Sequence, residues 1–186
     1  MSSKSHDNIS RTRTRSKSKT GFRSWPMFLL ALAGLGLFPC QTFAINEADI
    51  LQLGSANQAV VTQSSTGSAD LSPVDELNLV RLQQQGLRNL VFFSQAGSGN
   101  RIVNIQLGES QQALISQSGG NNQVDLDQRG AFNEVNIYQA GMANRVELRQ
   151  YGNFNQAIID QFGIAQSYRL TQNGNGNMVR VTQTGF

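Results

Sequence analysis

One beat governs this chain. The stretch "NEVNIYQAGMAN", residues 133–144, opens on Asn133, passes Gln139 and Gly141, and ends on Asn144. Eleven residues upstream, "NQVDLDQRGAFN" keeps the same spacing, and eleven residues downstream "NRVELRQYGNFN" keeps it again. Units of this kind begin at Asn46, Asn57, Asn78, Asn89, Asn100, Gln111, Asn122, Asn133, Asn144, Asn155, Gln166 and Asn177. Each has Gln at the sixth following position: Gln52, Gln63, Gln84, Gln95, Gln106, Gln117, Gln128, Gln139, Gln150, Gln161, Gln172 and Gln183. Gly54, Gly86, Gly97, Gly108, Gly119, Gly130, Gly141, Gly152, Gly163, Gly174 and Gly185 stand at the eighth, where only the second unit differs, with Ser65. Units too small to bury a core alone, repeated at a fixed period, point to stacked repeats.

Within each unit the second and fourth positions are apolar, as in Val124 and Leu126 or Val135 and Ile137, and their neighbours are mostly polar. That alternation predicts a strand with one buried face. The glycine that follows, among Asn and small residues, supplies the freedom of a tight turn. Two strand-turn units make a 22-residue coil. The expected fold class is therefore all-β: a flat, two-sided β-solenoid whose coils stack about 4.8 Å apart in cross-β fashion. Equivalent amides then lie over one another in columns. A primary amide both donates and accepts, so each column can bond along the stack. Asn104 breaks the pattern, being the one polar residue at a fourth position. It either bonds a neighbouring amide or marks an irregular strand.

Pro73 and three acids in "SADLSPVDEL", residues 68–77, interrupt the array, since proline is barred from central strands. The expected organisation is a leader at 1–44, a pair of units at 45–67, a linker at 68–77 and ten units at 78–186. The leader carries seven Lys or Arg, then the apolar run Met27–Phe38 and "TFA" at 42–44. This order predicts a secretory signal cut between Ala44 and Ile45. A run of twelve apolar residues is too short to span a bilayer. "RTRTRSKSK" at 11–19 also has the composition of a nucleic-acid arm, but a place ahead of a secretory apolar run favours the leader, and no nucleic-acid partner is expected.

Cleavage removes His6 and Cys40, and residues 45–186 contain no other His or Cys. Disulfides, thiolate or imidazole metal sites, and Ser-His-Asp triads are thereby excluded from that part, and no cofactor or enzymatic activity is expected. Asp125 and Asp127 alternate along one strand at a spacing that overlaps glycosidase carboxylates. A flat sheet offers them no cleft, however, and Arg145 and Arg149 on the next coil are placed to pair with them. "NGNGN" at 173–177 is a turn rather than a phosphate loop, because no Lys follows. Outward Phe92, Leu114 and Ile158 share one column, interrupted by Asn136, with Val103 and Ile105 exposed elsewhere. They are candidates for a lateral stripe.

A coil has only about four apolar side chains to offset the entropy of ordering 22 residues, so it needs a formed neighbour. The last unit, "NMVRVTQTGF", keeps the motif and has no visible edge block. The expectation is end-to-end stacking into an extracellular amyloid fibre. The run Q-x-G-x-x-N-x-V-x-x-x-Q at Gln128, Gly130, Asn133, Val135 and Gln139 resembles the curlin repeat of bacterial curli, and the resemblance covers 46–186. It implies secretion through the periplasm, export by the outer-membrane curli pore with accessory factors, and assembly with itself and the other curli subunit at the outer cell surface. The fibre then serves adhesion and the biofilm matrix. Asn-led strands and the G-x-x-N turn resemble the minor, nucleating subunit more than the major one that forms the fibre bulk.

Charge points the same way: 45–160 carries six Arg against eleven acids, whereas 161–186 carries only Arg169 and Arg180. A basic end suits contact with an anionic surface. A monomeric surface-binding solenoid or adhesin would need a uniform outward array, which the mixed columns lack. A disordered Gln/Asn-rich chain would lack the strict alternation.

Overall fold

The computed structural model describes residues 11–19, 45–64 and 78–185. The apolar run, Ala44 and the expected linker at 68–77 lie outside the described residues. Thirteen strands appear in chain order. They are β1 (Arg11–Lys19), β2 (Ile45–Ser55), β3 (Gln58–Ser64), β4 (Leu79–Leu87), β5 (Leu90–Ser98), β6 (Arg101–Glu109) and β7 (Gln112–Gly120). Then come β8 (Gln123–Ala131), β9 (Glu134–Met142), β10 (Arg145–Asn153), β11 (Gln156–Ile164), β12 (Ser167–Asn173) and β13 (Met178–Gly185).

From β2 onward the even-numbered strands form one sheet in the order β2-β4-β6-β8-β10-β12, with β1 added outside β2, and the odd-numbered strands from β3 form the other in the order β13-β11-β9-β7-β5-β3. The chain thus alternates between two parallel sheets, with 22 residues separating neighbours such as Val124 and Val146. This is a β-solenoid. Every strand from β2 to β13 pairs in the register that the repeat demands: Gln128 lies opposite Gln150, and Gly130 opposite Gly152. The first pair of units joins the same stack despite the inserted segment, because β2 pairs with β4 so that Gln52 meets Gln84 and Gly54 meets Gly86.

Alternation decides the strand conformation. In β8 Val124, Leu126 and Gln128 are buried while their neighbours are partly exposed. Period-two burial on both sheets brings two apolar columns from each into a thin core, including Val80, Leu82, Val91, Phe93, Ile102, Ile115, Ile137, Leu148 and Ile159. Asn104 sits in that core at 1% exposure within a regular strand, between Leu82 and Leu126 in register. Neither its Oδ1 nor its Nδ2 has a partner. Of the two expectations for this residue, bonding to a neighbour and strand irregularity, the structure shows neither.

The repeat glycines do something other than form the apex of the turn. Gly86, Gly97, Gly108, Gly119, Gly130, Gly141, Gly152, Gly163 and Gly174 lie at strand ends with φ between +101° and +134°, a region that side chains rarely enter. They also touch along the stack: a Cβ on Gly86 would come 1.9 Å from the carbonyl oxygen of Gly108. The left-handed apex comes two residues later and takes Arg88, Ser110, Asn121, Phe132, Ala143, Phe154 and Ala165, all with φ near +55°. Glycine is required for close approach of the coils, while the apex accommodates Arg, Ser, Asn, Phe and Ala at a modest conformational cost.

Candidate functional site

The glutamine columns run the length of the molecule inside the core. In each sheet the Nε2 of one Gln donates to the Oε1 of its equivalent on the next coil. The links from Gln52 through Gln84, Gln106, Gln128 and Gln150 to Gln172 measure 2.6–3.0 Å. Those from Gln63 through Gln95, Gln117, Gln139 and Gln161 to Gln183 measure 2.6–2.9 Å. The second amide hydrogen crosses to the facing sheet, as from Gln139 to the carbonyl of Gln123 at 3.2 Å. Gln84, Gln106, Gln128, Gln139, Gln150 and Gln161 are fully buried, so each unmade bond would leave a desolvated polar atom. All links point the same way, giving the stack a polarity. Nε2 donors face the C-terminal end and Oε1 acceptors face the N-terminal end.

The leading amides work differently. Only Asn122, Asn155 and Asn177 donate to the side chain of the preceding Asn in their column. Their general role is to clasp backbone. Asn100 donates to the carbonyl of Ala96, four residues back on its own turn, at 3.2 Å, and to that of Gly119 on the next coil at 3.0 Å. Its Oδ1 accepts the backbone N–H of Asn122 at 3.1 Å. Asn78, Asn89, Asn133 and Asn144 make the same bond to the glycine carbonyl of the next coil. These three bonds satisfy the corner, where the sheet ladders leave backbone groups open. Gln111 keeps both donor bonds, to Leu107 and Gly130, but its buried Oε1 has no partner. Gln166, the other glutamine at a leading position, also leaves its Oε1 without one. The extra methylene carries the acceptor out of reach, which explains why Asn rather than Gln dominates this position.

Charges lie on the outer faces. Arg145 reaches Asp125 on the preceding coil at 3.1 Å. Asp127 is taken instead by Arg129 of its own strand, through two bonds of 2.9 Å, and Arg149 turns to Glu147 at 2.9 Å. The expected Arg149–Asp127 pair is thus replaced by contacts within each strand, where residues two apart lie on the same face. Hydrogen bonding and charge from Asp127 raise the Arg129 guanidinium above its ordinary value. Arg169 is held by Glu147 at 2.7 Å. Of the two basic residues expected to anchor the chain, only Arg180 makes no ion pair among the described residues.

The outer column of the odd-numbered sheet runs Val60, Phe92, Leu114, Asn136, Ile158 and Arg180. Phe92 and Leu114 are 43% and 47% exposed. At one corner Phe132 and Phe154 stack with ring centroids 5.0 Å apart. Sequence reasoning did not single out this pair, because the apex position carries no residue preference that would mark it.

Depressions on the faces are shallow. One of about 360 Å³ is lined by Val103, Ile105, Asp125, Asp127, Arg145, Glu147 and Arg149, with its acids already paired. Among the described residues no group of three His, Cys, Asp or Glu is placed to hold a metal, and no helix is long and apolar enough to cross a membrane.

The chemistry of the molecule is concentrated at its ends. Beyond β12 and β13 no described strand follows, and the free edges there repeat the bonding pattern of every interior layer. The family model of the curlin associated repeat matches residues 119–152 and 141–167. No curated protein and no solved structure matches the chain. Matched repeats, parallel stacking and the repeated edge pattern agree: residues 119–167 are similar to the curlin associated repeat, within a β-solenoid that supports a curli-type fibre subunit.

Proposed function

We propose that the chain is the minor, nucleating curli subunit, which presents its C-terminal edge as a template on which the first coil of another curlin-repeat chain forms. The observation that carries this reading is that edge. Gln172 and Gln183 accept from the preceding coil and donate to no further glutamine, so Nε2 hydrogens remain for an incoming Oε1. Asn177 bonds backward to Asn155 and Asn173, with no following glycine carbonyl to take. An incoming strand that carries Gln and Gly at the repeat spacing completes all of these at once.

Secretion through the periplasm, with cleavage between Ala44 and Ile45, delivers the chain to the outer-membrane curli export pore. Assembly follows at the cell surface with itself and the major subunit, in an adhesive biofilm matrix. Arg180 supports contact with the anionic surface. The reading as a major subunit rests on the same edges; attachment separates the two roles. Deleting 166–186 from the nucleator abolishes cell attachment of the fibres, whereas retained attachment rejects that role.

Gly174→Ala tests the template directly. A Cβ on Gly174 has no backbone neighbour within 4 Å, whereas one on Gly152 lies 2.0 Å from the Gly174 carbonyl oxygen. The substitution therefore strains one residue by about 1–3 kcal/mol and leaves the molecule's own layers free of a new clash. A further layer would meet the methyl group. Loss of thioflavin-detected seeding by the variant, with its strand content retained, is the expected result; undiminished seeding refutes the template.

A further inference from the structure

The N-terminal end of the solenoid is closed by a strand unlike the others. β1 pairs with β2 over nine residues, from Arg11 opposite Leu53 to Lys19 opposite Ile45. The pairing is antiparallel, whereas all the other described pairings are parallel. Its register sets Thr12 opposite Gln52 and Ser18 opposite Asn46. Where every interior neighbour supplies Gln and a leading amide, β1 supplies hydroxyl residues, and the two amide columns of that sheet stop. In the same backbone register Lys17 stands opposite Glu47 and Arg15 opposite Asp49. A new coil must land on both sheets together, so covering β2 closes the end even though β3 has no outer partner among the described residues.

We propose that residues 11–19 are an intramolecular edge block, and that cutting the chain behind Ala44 converts a molecule with one stacking end into a molecule with two. The proposal rests on the cleavage and fibre readings given above. Once β1 is gone, the bared edge offers the acceptors of Gln52 and Gln63, each of which only donates along its column. The partner that fits is the C-terminal edge of a second curlin-repeat chain, whose free groups are donors. Head-to-tail contact then continues the interior bonding. The uncut chain can dock its C-terminal edge on a fibre once, and there it ends growth. It cannot add through its N-terminal edge. Blocking an open edge with a basic strand is a known protection against edge-to-edge association.

Among the described residues the core cluster runs from Ala48 to Leu170. The experiment compares the full chain with the full chain carrying Thr12→Pro and Ser16→Pro, which remove strand donors while keeping the apolar run and every charge. Seeded with fragments of 45–186 fibres, the proline variant should elongate at least about tenfold faster than the parent, a difference of ~1.4 kcal/mol in barrier. Equal rates overturn the proposal.

Amide exchange over residues 47–53 gives a readout that needs no fibre. The parent should protect this strand and the proline variant should expose it; equal protection overturns the edge block. Should 45–186 form no fibre while the exchange difference holds, the fibre reading fails and the block stands. The peptide RTRTRSKSK added to 45–186 should slow growth, whereas the same peptide with both prolines should not. Equal slowing would reduce the effect to charge alone.

Discussion

Asn104→Leu should make the assembled protein markedly more stable. The side chain is 1% exposed and both polar atoms lack partners. Leu82 and Leu126 flank it in register, and Leu148 continues the same column. An unsatisfied buried polar group costs about 1–3 kcal/mol, and burying a leucine side chain contributes about 1.5–3 kcal/mol. The two overlap, and a compact unfolded chain already hides part of that surface. A net gain of ~2–5 kcal/mol is therefore expected. Leu and Asn branch at the same atom, so the column accepts the change without moving the backbone. The assay is the concentration of soluble chain left in equilibrium with fibres in moderate denaturant. At ~1.4 kcal/mol per decade, this concentration should fall by about 30-fold at the lower end of the range. An unchanged or higher soluble concentration would refute the reasoning and show that the amide is satisfied in the assembled protein. Leu126→Asn provides the reverse control.

Other substitutions test other layers of the design. Gln111→Asn brings the orphaned acceptor within reach of the Asn133 backbone N–H; fibres should resist denaturant more strongly, by about 1–3 kcal/mol, and a loss of stability would contradict the clasp. Gln139→Leu leaves the donor of Gln117 and the acceptor of Gln161 unpaired in the core. It should cost about 2–5 kcal/mol, read as a lower midpoint for fibre dissolution. Phe92→Ser with Leu114→Ser should thin lateral bundles in electron micrographs while leaving the elongation rate unchanged; bundles of parental width would remove the stripe from consideration.

The sequence by itself determined the stack. A period of eleven with apolar residues at two alternating positions admits strands with one buried face, and strands so short can bury that face only against copies of themselves. Register was equally legible, because a Gln at the same position of every eleven-residue unit has no reason to recur unless Gln meets Gln. Only the tertiary structure decided what each recurrent residue is for. Gly86 and its equivalents look like turn formers until the next coil is in place and its carbonyl occupies the space of a Cβ. Asn100 looks like a member of a ladder until the corner closes and offers it two carbonyls and an N–H. Arg149 looks like the partner of Asp127 until the outer face orders and each finds an opposite charge nearer on its own strand. Segment 11–19 reads as part of a leader, and only the tertiary structure sets it beside β2. In each case the deciding contact joins residues far apart in the chain, and a local pattern records that a residue type is required without recording which distant atom requires it.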